Sequence, residues 1–198
     1  MFTAWLRKVA KVILDPLADG LLRLGLTANA VTLIGCLGTV AVSIFLIARG
    51  SFLWGGVLVA VSSAVDGLDG TLARRSVGPT AFGSFLDSVL DRVSESAVLV
   101  ALAWWYLGQV QPIYVLLAFV SLVGSFLVSY TRAKAETLGI ECKVGLFTRV
   151  ERCILLVAGL VLGLTRPMLW ILTVGATLTA VQRIIHVYGA SKGKPLPA

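Results

Sequence analysis

The chain has 198 residues, of which 58% are hydrophobic and only 14% charged, and its mean hydropathy is +0.93. Because soluble domains carry roughly 25% charged residues, this composition excludes an ordinary water-soluble fold and indicates an integral membrane protein. The net charge of +7 favours membrane lipid headgroups or phosphorylated substrates as partners. No nucleic acid partner is predicted, since the chain has no soluble basic domain to bind one.

Apolar periodicity predicts one helix at the membrane surface and six that cross it. The segment at about 2–22 begins with apolar and basic residues on opposite faces, which is typical of an interfacial amphipathic helix. Six spans of about the length that a bilayer requires follow at about 27–48, 52–74, 81–107, 112–137, 147–164 and 167–188. The predicted fold class is therefore all-α, a six-helix integral membrane bundle that forms a single domain over residues 1–198.

The basic residues predict the orientation of these spans. All 17 lysines and arginines except Arg49 and Arg166 fall on one side of the membrane in this topology. By the positive-inside rule, both termini and the longer loops face the cytoplasm. The acidic residues belong to the same half, so any chemistry that they carry is predicted to face the cytoplasm, at the cell membrane.

Four aspartates stand at helical spacing in this apolar chain, Asp66 and Asp69 near the end of the second span and Asp87 and Asp91 near the start of the third. Antiparallel neighbours joined by a short loop place Asp69 and Asp87 at similar shallow depth, with the other two about one turn deeper. Spacings of three and four put each pair on one helix face. Because an unpaired carboxylate in a membrane costs about 3 kcal/mol or more, the four are predicted to converge on cations.

Carboxylate oxygens at this density suit Mg²⁺, with Mn²⁺ as the alternative, and two ions are predicted. Gly70 and Gly83 leave room for a bulky substrate, and Arg74 stands where a guanidinium would bind a phosphate. A structural network of carboxylates and arginines in a transporter bundle is the competing interpretation. The shallow depth of the aspartates and the lack of matched, broken helices count against a transporter, and a scaffold without activity would be expected to lose an aspartate.

These residues form a motif, Asp66-x2-Asp69-Gly70-x2-Ala73-Arg74-x8-Gly83-x3-Asp87-x3-Asp91. The motif resembles the signature of the CDP-alcohol phosphotransferases at every fixed position. The resemblance implies that the four aspartates bind two divalent ions that hold the CDP diphosphate, and that Asp91 is also the general base. It further implies contacts to the CDP-lipid from seven residues: Asn29, Ala30, Val31, Thr32, Gly70, Arg74 and Thr80. A homodimer is expected from the family alone.

A second basic cluster bears on the acceptor alcohol. Arg132, Arg152 and Arg183 stand near the predicted cytoplasmic ends of the last three spans. Converging on one phosphate dianion, they would favour a phosphorylated acceptor over a neutral one. Positive-inside anchoring at lipid headgroups is the alternative explanation. Glu95, one turn beyond Asp91, is expected to pair with Arg92 or to order the metal ligands.

The arginine segments also resemble the acceptor-phosphate pocket of the family branch that uses inositol phosphate. This resemblance implies transfer of a phosphatidyl group from CDP-diacylglycerol to a phosphorylated polyol, myo-inositol phosphate, with release of CMP. Glycerol 3-phosphate, which would also need an arginine pocket, is the second candidate as acceptor.

Overall fold

The computed structural model describes residues 20, 25–66, 78 and 80–192. Within these ranges the regular structure is entirely helical, which confirms the all-α prediction. The elements are α1 (Ala28–Phe45), a 3₁₀ turn (Ile47–Arg49), α2 (Phe52–Asp66), α3 (Ala81–Gly108), α4 (Pro112–Thr137), α5 (Arg149–Val161) and α6 (Thr165–Ser191). The predicted interfacial helix at about 2–22 lies outside the described residues, residue 20 excepted.

Three of the helices are long and apolar enough to cross a membrane: Ala28–Arg49, which joins α1 to the 3₁₀ turn, α4, and α6. They identify the chain as a membrane protein. Span 52–74 is described only as far as Asp66, as a shorter apolar helix. The 28 residues of α3 include four charged side chains, and the 13 residues of α5 cover about 20 Å of a hydrocarbon core about 30 Å thick. Six spans therefore stay a prediction.

Local signals in the sequence fix several helix ends. Thr27 and Thr80 cap α1 and α3, because each hydroxyl accepts a hydrogen bond from the backbone N–H three residues later, at 3.3 and 3.0 Å. Pro112 opens α4 at a position where its missing N–H costs nothing. At the other end of α4, Gly139 has a φ of 66°. The N–H of Ile140 bonds to the carbonyl of Ala135, which completes a Schellman motif.

The chain folds as two compact units, of which the first takes its described residues from Met1–Val42 and Leu58–Ser94. Here α1 and α2 pack closely at Gly38, where an added Cβ would lie 3.3 Å from the Oγ of Ser62. The start of α1 also meets the start of α3, through Asn29 and Gly83. This unit therefore contains the first helical turns from which the predicted CDP-lipid contacts arise.

The second unit takes its described residues from Ser43–Val57 and Glu95–Ala198 and is built around α6. Helix α6 packs along α4 at small residues, with Gly124 against Ala176. Hydroxyls add polar links between these two helices, since Ser121 and Thr173 lie 2.8 Å apart. Inter-helix packing of this kind, with small residues and hydroxyl pairs, is typical of helices within membranes.

Residues 138–148, between α4 and α5, run as irregular backbone along the flank of α6. Three bonds attach this loop at intervals. His186 donates to the carbonyl of Glu141 at 3.0 Å, Arg183 to that of Val144 at 3.0 Å, and the N–H of Phe147 donates to Thr179 at 3.0 Å. The last turns of α6 therefore hold this loop through both side chains and backbone groups.

Candidate active site

In the first unit, three of the residues singled out in the sequence meet where α1 and α3 begin. A Cβ placed on Gly83 would lie 3.0 Å from the Oδ1 of Asn29 and 3.0 Å from the Oγ1 of Thr80. The hydroxyl of Thr80 is held by its cap bond to the Gly83 N–H. Glycine at this position thus allows two polar side chains, both predicted to contact the CDP-lipid, to approach the same point on α3.

The rest of the Asn29–Thr32 segment divides by burial. Val31 and Thr32 are buried, and the hydroxyl of Thr32 donates to the carbonyl of Ala28 at 3.0 Å. Asn29 and Ala30 are only half-buried. In this arrangement Asn29 offers its polar side chain near the surface of the unit, while Val31 and Thr32 anchor the first turn of α1 from inside.

The predicted metal ligands are described only in part. Asp87 and Asp91 lie one turn apart on α3, both half-buried. Asp66 is the last residue of α2, but its side chain, like Asp69, Gly70 and Arg74, lies outside the described part of the chain. Among the residues that are described, no group of three or more metal-binding side chains occurs.

The two carboxylates that are described fit the predicted ions. An i, i+4 pair presents both groups on one helix face, and half-buried carboxylate oxygens are ligands of the kind that Mg²⁺ and Mn²⁺ prefer. The neighbouring Arg92 turns back along the helix and donates to the carbonyl of Ser88.

The second unit holds the three predicted acceptor residues, here called the arginine cluster (Arg132, Arg152 and Arg183). Arg152, in the first turn of α5, has a side chain only 1% exposed. Its Nε and Nη2 donate to the two carboxylate oxygens of Glu95 at 2.8 and 3.0 Å, and its Nη1 donates to the carbonyl of Phe147 at 3.3 Å. Such a side-on, two-bond ion pair fixes the plane of the guanidinium.

Arg183 is also buried, at 2% exposure, within the last turns of α6. Its guanidinium bonds the carbonyls of Val144, in the loop, and Val128, in α4. Arg132 differs, because its side chain is 49% exposed and pairs with Glu136 at 2.9 Å along α4. Both Arg132 and Arg152 lie close enough to Arg183 to act on its positive charge.

The structure thus places Arg132 and Arg152 near Arg183, and it buries Arg152 and Arg183 inside the protein. Anchoring at headgroups accounts for an exposed residue such as Arg132 but not for Arg152 or Arg183. A cavity of about 430 Å³ opens beside the loop, yet none of the cluster lines it; its lining residues are Val144, Gly145, Leu146, Gln182, Ile185 and His186.

The structure gives Glu95 a partner that the sequence did not name. Its spacing from Asp91 and Arg92 favours neighbours on the same helix, but the structure pairs it with Arg152, 57 residues away. An acidic residue in the middle of a long apolar helix was the available signal, because such a residue needs a buried cation wherever the fold can supply one.

Comparison with known proteins identifies the class. The family model of CDP-alcohol phosphatidyltransferase matches residues 25–182, and the chain belongs to this family. The resemblance carried by the aspartate motif is thereby confirmed.

Two relatives show which members of the family this chain is similar to. Phosphatidylinositol phosphate synthase of Corynebacterium glutamicum is 37% identical over 187 residues, which cover 90% of this chain and 85% of that protein. Archaetidylinositol phosphate synthase of Methanothermobacter thermautotrophicus is 40% identical over 189 residues, which cover 92% of each. Both names describe enzymes whose product is an inositol phosphate lipid.

Solved structures agree with these sequences. Mycobacterium tuberculosis phosphatidylinositol phosphate synthase with CDP-diacylglycerol bound matches with a TM-score of 0.87 and 32% identity, over 94% of this chain and 99% of that one. The same enzyme in complex with manganese and citrate matches with a TM-score of 0.83 and 34% identity, over 88% of each chain. The fold of this chain is therefore that of a family member that binds a CDP-lipid and a divalent metal.

Proposed function

We propose that this protein transfers the phosphatidyl group of CDP-diacylglycerol to myo-inositol phosphate, giving phosphatidylinositol phosphate and CMP. The likeness in sequence and fold to phosphatidylinositol phosphate synthases, over nearly the whole chain, is the observation that carries this proposal. The buried part of the arginine cluster supports the choice of a phosphorylated acceptor, because guanidinium groups bind phosphate oxygens in pairs of bonds.

Asp66, Asp69, Asp87 and Asp91 would hold two divalent ions, Mg²⁺ or Mn²⁺. Bound there, the ions would neutralise charge on the diphosphate of the CDP-lipid. The manganese complex of the mycobacterial enzyme and the i, i+4 placement of Asp87 and Asp91 support this assignment. The seven residues proposed to contact the CDP-lipid are Asn29, Ala30, Val31, Thr32, Gly70, Arg74 and Thr80.

In the reaction, Asp91 accepts the proton of the acceptor hydroxyl as that oxygen attacks the β-phosphorus of the CDP-lipid. The new P–O bond joins the acceptor to the phosphatidyl group, the bond to CMP breaks, and CMP leaves with the electron pair. Arg132, Arg152 and Arg183 hold the acceptor through its own phosphate. These residues promote the reaction mainly by positioning two anionic substrates, because a carboxylate such as Asp91 is only a weak base.

The proposal also includes the membrane topology and the oligomeric state. The chain would cross the cell membrane six times as a single domain, with the N-terminal helix at the surface and both termini in the cytoplasm. The basic bias of the predicted cytoplasmic side supports this orientation. The two arginines assigned to the opposite side stack on aromatic rings, Arg49 on Phe45 and Arg166 on Tyr114, as residues of an interfacial belt do. The active unit would be a homodimer.

A second candidate differs only in the lipid. One relative, 40% identical over 189 residues, is named for an archaetidyl product, which favours testing a CDP-archaeol donor beside the diacyl one. The same aspartates and arginines would serve, since both donors share the CDP diphosphate. Glycerol 3-phosphate remains the second candidate as acceptor.

The proposal is tested by CMP release from the purified full chain in lipid nanodiscs. CDP-diacylglycerol or CDP-archaeol is offered with inositol phosphate, inositol, glycerol 3-phosphate or serine, in Mg²⁺, in Mn²⁺ and with EDTA. We expect release with inositol phosphate in either metal and none with EDTA. Absence of CMP with every acceptor would refute the enzymatic function, and equal release with inositol and its phosphate would refute the acceptor.

A further inference from the structure

Glu95 and Arg152 form a buried two-bond ion pair that links α3 to α5. Both carboxylate oxygens of Glu95 are used, one on Nε and one on Nη2, and the two side chains are 14% and 1% exposed. The carbonyl of Phe147 takes an N–H from Nη1. Orientation of the guanidinium is therefore set from two directions, by α3 and by the end of the loop.

The bonds that are present define what is left for a ligand. A guanidinium has five N–H donors, and Glu95 and Phe147 engage three of those on Arg152. Counting partners within the described part of the chain, one N–H remains on Nη1 and one on Nη2. Nη1 and Nη2 form the outer edge of a guanidinium, and a phosphate that binds at this edge takes one N–H from each nitrogen.

We propose that Glu95 is a positioning residue, which holds the outer edge of Arg152 toward the phosphate of the acceptor. This role rests on the proposed function, because it takes Arg152 as part of the acceptor site. The charge of Glu95 and its effect on geometry change the affinity for phosphate in opposite directions. A carboxylate beside Arg152 weakens the attraction for a dianion, whereas a fixed guanidinium plane strengthens two-bond recognition.

Because the two effects oppose each other, the variant Glu95→Gln shows which of them dominates. The amide removes the negative charge, so charge alone would tighten phosphate binding. It also turns one acceptor oxygen into an N–H₂ group facing an N–H of Arg152, which must rotate the guanidinium. If position dominates, binding of acceptor and of phosphate weakens.

Two measurements on the full chain in nanodiscs separate these outcomes. Steady-state kinetics give the KM for inositol phosphate and for CDP-diacylglycerol. Thermal unfolding in increasing inorganic phosphate gives an affinity that needs no turnover, since a ligand of the native state raises the Tm. Glu151→Gln serves as the matched control, because Glu151 is an exposed glutamate adjacent to Arg152 on α5, bonded to Thr148.

We expect Glu95→Gln to raise the KM for inositol phosphate and the half-saturating phosphate concentration by about tenfold or more, with the KM for CDP-diacylglycerol within about twofold. Glu151→Gln should leave all three within about twofold. Glu95→Asp, which keeps the charge but is one methylene shorter, should fall between wild type and Glu95→Gln. Glu95→Asp also serves as the test if Glu95→Gln does not fold.

Three results would contradict the role of Glu95 or the proposed function. An unchanged or lower KM for inositol phosphate in Glu95→Gln and Glu95→Asp, with a reduced Tm, would make the pair purely structural and overturn the inference. Phosphate stabilisation of the wild type that is weakened by Glu95→Gln, without CMP release from any acceptor, would refute the proposed function and keep the role of Glu95. A wild type that phosphate does not stabilise would remove the anion site itself.

Discussion

Gly83→Ala tests whether the close approach of α1 to the start of α3 positions the CDP-lipid. The new Cβ would lie 3.0 Å from the Asn29 Oδ1 and 3.0 Å from the Thr80 Oγ1, so both oxygens must retreat by a few tenths of an ångström. Among the described residues, only these two side-chain oxygens lie within 4 Å of the methyl, apart from the chain neighbours and the backbone of α3 itself. The perturbation therefore falls on two side chains that are proposed to contact the substrate.

The expected effects on stability and on activity differ in size. Alanine gains about 0.5–1 kcal/mol over glycine inside a helix, while disturbing the Thr80 cap costs about 1 kcal/mol. These contributions nearly cancel, so the Tm should move by no more than about 4 °C. A misplacement of about 1 Å in a substrate-positioning group costs up to about 100-fold. A shift of less than half that size should lower kcat/KM for CDP-diacylglycerol by roughly tenfold.

The assay is CMP release at saturating inositol phosphate with CDP-diacylglycerol varied, together with a thermal melt. Gly108→Ala is the matched control, since it makes the same change at the other end of α3, where an added Cβ meets nothing within 4 Å. The control should retain wild-type kinetics. Wild-type kcat/KM in Gly83→Ala would refute the reasoning, and so would a tenfold loss in Gly108→Ala.

Three further predictions concern the base and the packing of the second unit. Asp91→Asn should abolish CMP release yet keep much of the metal-induced rise in Tm, because the amide retains an oxygen ligand but accepts no proton; turnover would remove Asp91 as the base. Gly56→Val should cost roughly 1–3 kcal/mol, since its Cβ would lie 2.8 Å from that of Leu160, and an unaltered melt would contradict this. Tyr106→Phe deletes the 2.6 Å bond to Thr165 and should cost about 0.5–1.5 kcal/mol with both KM values unchanged; a changed KM would link that bond to the site.

Helix α4 shows how much of the fold local signals determine. Its predicted bounds, 112–137, are those of the structure, because a proline at the first position and a glycine in the left-handed conformation just beyond the end are both encoded locally. Helix α6 begins two residues before Pro167 and continues to Ser191, because proline is tolerated throughout a first turn. Helix α5 is five residues shorter than its predicted span. Phe147 and Thr148 belong to the loop along α6, and the helix ends at Val161, just before Gly163 in the left-handed conformation.

The candidate site also has some features that local sequence predicts and others that depend on tertiary contacts. The aspartate motif and the family could be read from spacing, which is local. The burial of Arg152 and Arg183 and the choice of Glu95 as partner could not, because each depends on contacts between residues far apart in the chain. Periodicity shows that a charged residue lies on a helix, but only tertiary packing decides what neutralises it.

The loop along α6 bears on how the proposed acceptor and donor would meet. As one of the proposed spans, α5 is about 10 Å too short for the hydrocarbon core, while the 27 residues of α6 extend for about 40 Å. Irregular backbone at membrane depth is stable only where protein covers it or water wets it. Side chains of α6 satisfy one side of the loop, and water can satisfy the other. In the proposed topology, the shortness of α5 would leave the outer side of this loop to water, and a polar acceptor would approach the membrane-bound donor from that side.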